Sequence, residues 1–194
     1  MTFDLYLTGA PATGKSTVGA ALAKISGAEL LSYGSLLTDE LSRLGLVSDQ
    51  VDLRERSAQV ISSTHVTDLD EVVARRVERG RGISSTIVDS HALTAEEYGF
   101  RALPYSSDTL SRISFTHVVC LFAPSKVIAG RFKADKGGRR ELSRELLDIH
   151  AQLQSSLALT YAHSLGVPIG FVDANRPLDD VVAAVHEFVG KWRA

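Results

Sequence analysis

The sequence contains a single cysteine, Cys120, in 194 residues. One thiol cannot close an internal disulfide, so the fold must rest on its core, and a cysteine inside the apolar run Val118-Val119-Cys120-Leu121 suits a buried thiol in a reducing compartment. No apolar run approaches the ~20 residues that a membrane-crossing helix requires. The start Met1-Thr2-Phe3-Asp4 has no basic segment, and the apolar stretch after it is soon cut by a glycine loop, so it does not read as a secretory leader. These absences point to a cytoplasmic protein. Charge of one sign is also missing: 21 Lys and Arg against 23 Asp and Glu leave a net charge of -2, which lacks the electrostatic footprint of a general nucleic-acid binder. There is no internal repeat and no low-complexity segment. With 44% hydrophobic residues, the chain can bury a core as one domain spanning 1–194.

What is present is a phosphate-binding loop. Gly9-Ala10-Pro11-Ala12-Thr13-Gly14-Lys15-Ser16-Thr17 fits G-x-x-x-x-G-K-[ST]. Gly9 and Gly14 can take backbone angles closed to other residues, letting the loop turn its N–H groups inward around an anion. Lys15 then reaches the β and γ phosphates of ATP, the Ser16 hydroxyl is placed to ligate Mg²⁺, and Thr17 leads into a helix whose positive end faces the ligand. The flanks agree. Phe3 to Thr8 is short, β-prone and apolar-alternating, while Val18, Ala21, Leu22 and Ile25 recur at helical spacing up to the stop Gly27.

The rest of the chain alternates strand and helix. Ala28 to Tyr33 reads as a second strand closed by Gly34, followed by a helix with Leu36, Leu37, Leu41 and Leu44. From about Asp49 to Glu78 the pattern predicts a long helical region with Leu53, Val60, Ile61, Leu69, Val72, Val73 and Val77 inside, broken near Ser62-Ser63-Thr64. Ile83 to Asp89 makes a third strand. Ser90 to Asp108 reads as an irregular loop over the sheet edge. A fourth strand spans about Thr116 to Phe122, and a helix from Pro124 or Ser125 turns Val127, Ile128 and Phe132 inward. The next helix shows Leu142, Leu146, Ile149, Leu153 and Leu157 as an apolar seam. Val167 to Asp173 is the fifth strand, and Pro177 opens a last helix with Leu178, Val181, Val182, Val185, Phe188 and Val189 buried. The expected fold is α/β, a P-loop NTPase-type three-layer arrangement with a five-stranded parallel sheet, helices on both faces and a short lid at about 133–141.

Ligands of such sheets sit at the carboxyl ends of the strands. That selects Tyr33-Gly34 after the second strand, Asp89-Ser90-His91 after the third and Asp173-Ala174-Asn175-Arg176 after the fifth. A carboxylate ending an apolar strand can organise Mg²⁺ through water, which gives Asp89 the Walker B role, and His91 points to the same side if the chain stays extended. Arg131, Lys133, Lys136, Arg139 and Arg140 enclose Gly137-Gly138 between two helices. Guanidinium groups on a flap of this kind can neutralise the charge that phosphoryl transfer spreads over the equatorial oxygens. Arg54, in the helical region at about 34–80, is placed to grip an acceptor's phosphate bidentately.

Together these residues resemble the archaeal-type adenylate kinases, and more weakly the small nuclear adenylate kinases that share an Asp-x-His element. The likeness runs through Gly9 to Thr17, Tyr33-Gly34, Leu44-Gly45 to Leu53-Arg54, Ile87 to Ala92, Leu103-Pro104-Tyr105, Arg131 and Arg139-Arg140. It implies Mg²⁺-dependent interconversion of ATP and AMP with two ADP, without a covalent enzyme intermediate. Lys15 and the loop amides would hold the donor phosphates, Arg54 the acceptor phosphate, and Arg131, Arg139 and Arg140 the moving phosphoryl group. The partners implied are small-molecule nucleotides, and a homo-oligomer is compatible with the sequence. Two other readings stay open: a P-loop kinase for another monophosphate, or for a nucleoside or metabolite hydroxyl with Asp89 as base for the hydroxyl, and a nucleotide-dependent switch or assembly ATPase. Between Ala95 and Leu110 no residue stands out as a reader of the base.

Overall fold

The computed structural model describes residues 2–91, 93–96, 99–102, 105–134 and 142–191. Its centre is a five-stranded parallel sheet in the order β2-β3-β1-β6-β7, built from β1 (Asp4–Gly9), β2 (Glu29–Ser32), β3 (Thr86–Asp89), β6 (His117–Phe122) and β7 (Ile169–Asp173). The two-residue period of the strands sorts the core into two layers. Leu5, Leu7, Ile87, Val119 and Leu121 face one side, where α1 (Lys15–Ser26) and α8 (Leu178–Lys191) close over them. Tyr6, Val88, Val118 and Cys120 face the other, against α4 (Ser63–Gly80), α5 (Ser107–Ile113) and α7 (Arg144–Leu165). The apolar runs are continuous because both faces of a parallel sheet are covered. This is the three-layer arrangement the sequence leads one to expect, and Cys120 is buried in it.

The region after β2 forms a separate small cluster. α2 (Tyr33–Arg43), α3 (Gln50–Val60) and α4 pack Leu37, Leu41, Leu53 and Leu69 together. Asp49 caps α3 by accepting from the N–H groups of Val51 and Asp52. The break falls where the Ser62-Ser63-Thr64 stretch suggests, because the Ser62 hydroxyl accepts from the His65 N–H and starts α4 afresh.

Several expectations are corrected. Ser90 to Asp108 is not an irregular loop: it carries an antiparallel hairpin of β4 (Leu93–Glu96) and β5 (Gly99–Ala102), and α5 begins at Ser107. Tyr33 opens α2 instead of closing β2. β3 begins at Thr86, leaving Ile83 exposed. Ile25, Leu44, Val72 and Leu178 are exposed too. The helix from Arg144 is rotated relative to its leucine seam, so that Leu146, Ile149 and Leu153 are exposed while Leu147, His150, Gln154 and Ala158 are buried. Polar contacts explain the rotation: Gln154 Nε2 donates to Thr8 Oγ1 at 2.9 Å, and His150 Nε2 lies 3.2 Å from the Leu93 carbonyl. Residues 135–141 of the expected lid, including Lys136, Arg139 and Arg140, lie outside the described residues, whereas Arg131 and Lys133 belong to α6 (Ser125–Ala134). Among the described residues no helix is long and apolar enough to cross a membrane.

Candidate active site

The loop between β1 and α1 has the geometry of an anion cradle. Gly9 has φ +148°, and a Cβ there would stand 2.4 Å from the Leu121 carbonyl oxygen, so only glycine fits beside β6. Gly14 caps α1 in the left-handed region, with φ 92°, and Ala12 takes a positive φ of 61° at the loop's crown. Thr13 Oγ1 donates to the Ala10 carbonyl at 2.8 Å and fixes the turn. The Lys15 ammonium donates to the carbonyls of Gly9 at 2.8 Å and Ala10 at 3.2 Å, which folds it over the loop. Ser16 Oγ donates to Asp89 Oδ2 at 2.6 Å. Parallel pairing brings this about: Leu7 of β1 and Ser32 of β2 both stand opposite Asp89 of β3, so the loop, Asp89 and the start of α2 share one end of the sheet.

A cavity of about 450 Å³ opens at that end. Its donor side is lined by Pro11, Ala12, Gly14, Lys15, Ser16, Thr17 and Arg131. Arg131 donates to the Ala12 carbonyl at 3.1 Å and the Ala174 carbonyl at 2.7 Å, which ties the crown of the loop to the chain beyond β7. Its far side is lined by Tyr33, Gly34, Arg54 and Asp70, with the apolar side chains of Leu37, Leu53, Ile61 and Val66. Asp89 and His91 line it between the two. Gly9, Ala10 and Thr13 are not among its lining residues and shape the loop through the close approach of Gly9 to Leu121 and the Thr13–Ala10 bond.

Three features of the cavity were not singled out from the sequence. The hairpin closes the far side, since Glu96 accepts from Ser57 of α3 at 2.9 Å and from Thr94 at 3.0 Å. Four tyrosines, Tyr6, Tyr33, Tyr105 and Tyr161, form an aromatic wall with Tyr105 at its centre, 6.1 Å from Tyr6, 6.4 Å from Tyr33 and 5.8 Å from Tyr161. Asp70 is buried and accepts from the Tyr33 hydroxyl at 2.8 Å. Its signal in the sequence is an acid on an apolar stripe, three residues before Val73 and seven before Val77.

Burial pushes the Asp70 carboxyl from its ordinary 3.8 up to about 6, against the lowering effect of the Tyr33 hydrogen bond. Desolvation pushes His150 the other way, from 6.5 down to about 4, with the nearby Lys15 charge adding to the effect. The two oppose each other in stability. A folded value above the unfolded one means that Asp70 favours folding when protonated, a contribution complete below about 3.8 and lost as pH rises through about 6. A folded value below the unfolded one means that His150 costs stability as pH falls from about 6.5 to about 4. Each slope is at most ~1.4 kcal/mol per pH unit, and between about pH 4 and 6 they offset. Asp70→Asn is therefore expected to destabilise more steeply than the parent protein on acidification, and His150→Gln less steeply. Urea midpoints measured from pH 7 to 4.5 test this, and three parallel curves would contradict it.

The oxygen donors Ser16 and Asp89 fit a hard cation such as Mg²⁺, which takes one or two protein oxygens and completes its shell with water and phosphate. No group of three or more His, Cys, Asp and Glu residues able to hold a metal occurs among the described residues.

Fold and cavity together are those of a P-loop nucleotide-binding protein. A family model described as an AAA domain matches residues 8–147, and the chain belongs to that family. It is similar to an adenylate kinase of Thermoplasma acidophilum, with 24% identity over 185 residues that cover 94% of each chain. Among solved structures it resembles a shikimate kinase from Acinetobacter baumannii in complex with shikimate, with a TM-score of 0.66, 17% identity and coverage of 100% of this chain and 97% of that one. It also resembles a putative kinase from Chloroflexus aurantiacus, with a TM-score of 0.59, 21% identity and coverage of 96% and 97%. At these identities the two structures speak to the fold.

Proposed function

We propose that the protein is an adenylate kinase-like phosphotransferase, moving the γ-phosphoryl group of ATP to AMP to give two ADP. The observation that carries this reading is a single cavity with the phosphate-binding loop at one end and Arg54 at the other. A phosphate acceptor is already ionised and needs cations to position it, with no base to deprotonate it. Asp89 fits the same reading, because one of its carboxylate oxygens is engaged by the Ser16 hydroxyl beside the phosphate-binding loop. The full-length similarity to an adenylate kinase adds support.

In this mechanism the loop amides and Lys15 hold the donor phosphates, and the helical region at about 34–80 receives the acceptor with Tyr33, Gly34 and Arg54 around it. Ser16 and Asp89 would hold Mg²⁺, which would neutralise phosphate charge. Arg131, at the rim of the loop, would turn from the Ala12 and Ala174 carbonyls toward the phosphates. Arg139 and Arg140 would join it from the lid at about 133–141. His91 would stand between the donor and acceptor phosphates. In-line transfer then depends on position and charge compensation, and the lid would help keep water out.

The test is ADP formation from ATP with AMP, CMP, UMP and GMP, together with Arg54→Ala. Loss of a charge-assisted contact of about 1.5–3 kcal/mol should raise KM for AMP roughly ten- to a hundredfold and leave KM for ATP nearly unchanged. An equal loss for both nucleotides, or hydrolysis of ATP with no transfer to any monophosphate, would overturn the reading.

A further inference from the structure

The acceptor end of the cavity contains a buried carboxylate that the phosphate chemistry leaves unused. On α4, Val66, Asp70, Val73, Ala74 and Val77 fall on one helical stripe, and Asp70 is the sole polar member. Its residue exposure is 8%, yet it lines the cavity. Among the described residues no lysine, arginine or histidine pairs with it; its one hydrogen-bond partner is the Tyr33 hydroxyl, on Oδ1. Burial and the Asp70 charge push the Tyr33 hydroxyl above its ordinary range, so it stays protonated and donates. Among the described residues no hydrogen bond reaches the second carboxylate oxygen. A buried acid held this way calls for a donor from the ligand, since an unpaired buried charge is costly to keep.

The surroundings say what kind of donor. Leu37, Leu53, Ile61 and Val66 line the same end of the cavity. Such walls suit the flat body of a nucleobase. A carboxylate only accepts, and with Oδ1 taken by Tyr33 it offers one free oxygen, which matches a single exocyclic amine. A keto oxygen at that position would meet it acceptor to acceptor.

Resting on the monophosphate-kinase reading above, we infer that Asp70, positioned by Tyr33, is the specificity-determining residue of the acceptor end and selects a base bearing an exocyclic amine. Adenine carries that group at the six-position and cytosine at the four-position; hypoxanthine and uracil carry a keto oxygen in its place, guanine has the keto oxygen there with its amine at the two-position, and unsubstituted purine carries neither.

The experiment compares kcat/KM for AMP, inosine monophosphate and purine riboside monophosphate, which differ at the six-position of one ring system. The parent protein should prefer AMP to each of the others at least tenfold. Asp70→Asn keeps the size of the side chain and adds an N–H donor that can meet a keto oxygen, so the AMP-to-inosine-monophosphate ratio should collapse at least tenfold with KM for ATP within about twofold of the parent. If Asp70→Asn does not fold, as thermal unfolding would reveal, Tyr33→Phe takes its place: loss of the orienting hydroxyl should lower the same ratio at least threefold. A ratio unchanged in the variant, with AMP still phosphorylated, overturns this inference and leaves the kinase reading standing. A parent protein that phosphorylates no monophosphate overturns both.

Discussion

Lys15→Ala is expected to lower phosphoryl transfer on the order of a thousandfold while leaving a folded protein. Removing one donor aimed at charge that develops in a transition state costs about a hundred- to a thousandfold, and Lys15 supplies a full positive charge. Its ammonium is buried to 8% exposure and already sits over the loop on the carbonyls of Gly9 and Ala10. It therefore needs little reorganisation to meet phosphate oxygens, and alanine can offer nothing in that place. The fold does not depend on it. The loop is set by Gly9 against Leu121 and by Thr13 on Ala10, and the core on either side of β1 is apolar. Single-turnover transfer and thermal unfolding measured on one preparation separate the two effects. Turnover within tenfold of the parent would take the loop out of the mechanism, and loss of the folded state would show that Lys15 holds the loop together.

How much of this was legible in the sequence depends on the range of the interactions involved. The loop could be read because its chemistry is local: Gly9, Gly14, Lys15 and Ser16 act within one turn, and their spacing is the motif. The strands could be read because a sheet covered on both faces demands unbroken apolar runs such as Leu5-Tyr6-Leu7 and Val118-Val119-Cys120-Leu121. The hairpin was hidden because Leu93-Thr94-Ala95-Glu96 and Gly99-Phe100-Arg101-Ala102 have weak β patterning. What fixes it is partly non-local, the contacts of Glu96 with Ser57 and of Leu93 with His150. The rotation of α7 was hidden for a related reason. Leu146, Ile149 and Leu153 form the stronger apolar seam, but burying His150 and Gln154 gives Leu93 and Thr8 their partners, a gain that periodicity cannot register. Asp70 falls between these cases. An acid on a buried helical stripe is a visible anomaly, but only the packing of α2 against α4 brings Tyr33 to it.

Asp89→Ala should lower kcat about a hundred- to a thousandfold, and the way activity then responds to Mg²⁺ distinguishes the two roles the residue could have. Asp89 is 4% exposed at the carboxyl end of β3, with its carboxylate 2.6 Å from Ser16 Oγ. That places it where it orients the serine and the ion's water shell, in line with the protein groups that hold Mg²⁺ in P-loop enzymes. If this is its work, the variant binds the ion more weakly. The Mg²⁺ concentration giving half-maximal activity should then rise at least tenfold, and high Mg²⁺ should recover part of the lost rate. Ser16→Ala should shift the same half-saturation in the same direction, and because the two residues share one hydrogen bond, the double variant should lose less than the product of the single losses. A base for a hydroxyl acceptor would behave otherwise. The loss would be the same at every Mg²⁺ concentration, Ser16→Ala would leave the ion dependence of the Asp89 variant additive, and the parent protein would phosphorylate a nucleoside or sugar hydroxyl. Titrating Mg²⁺ at saturating ATP across the four proteins, with AMP and with a nucleoside or sugar as acceptor in parallel, therefore decides between a phosphate acceptor and a hydroxyl acceptor.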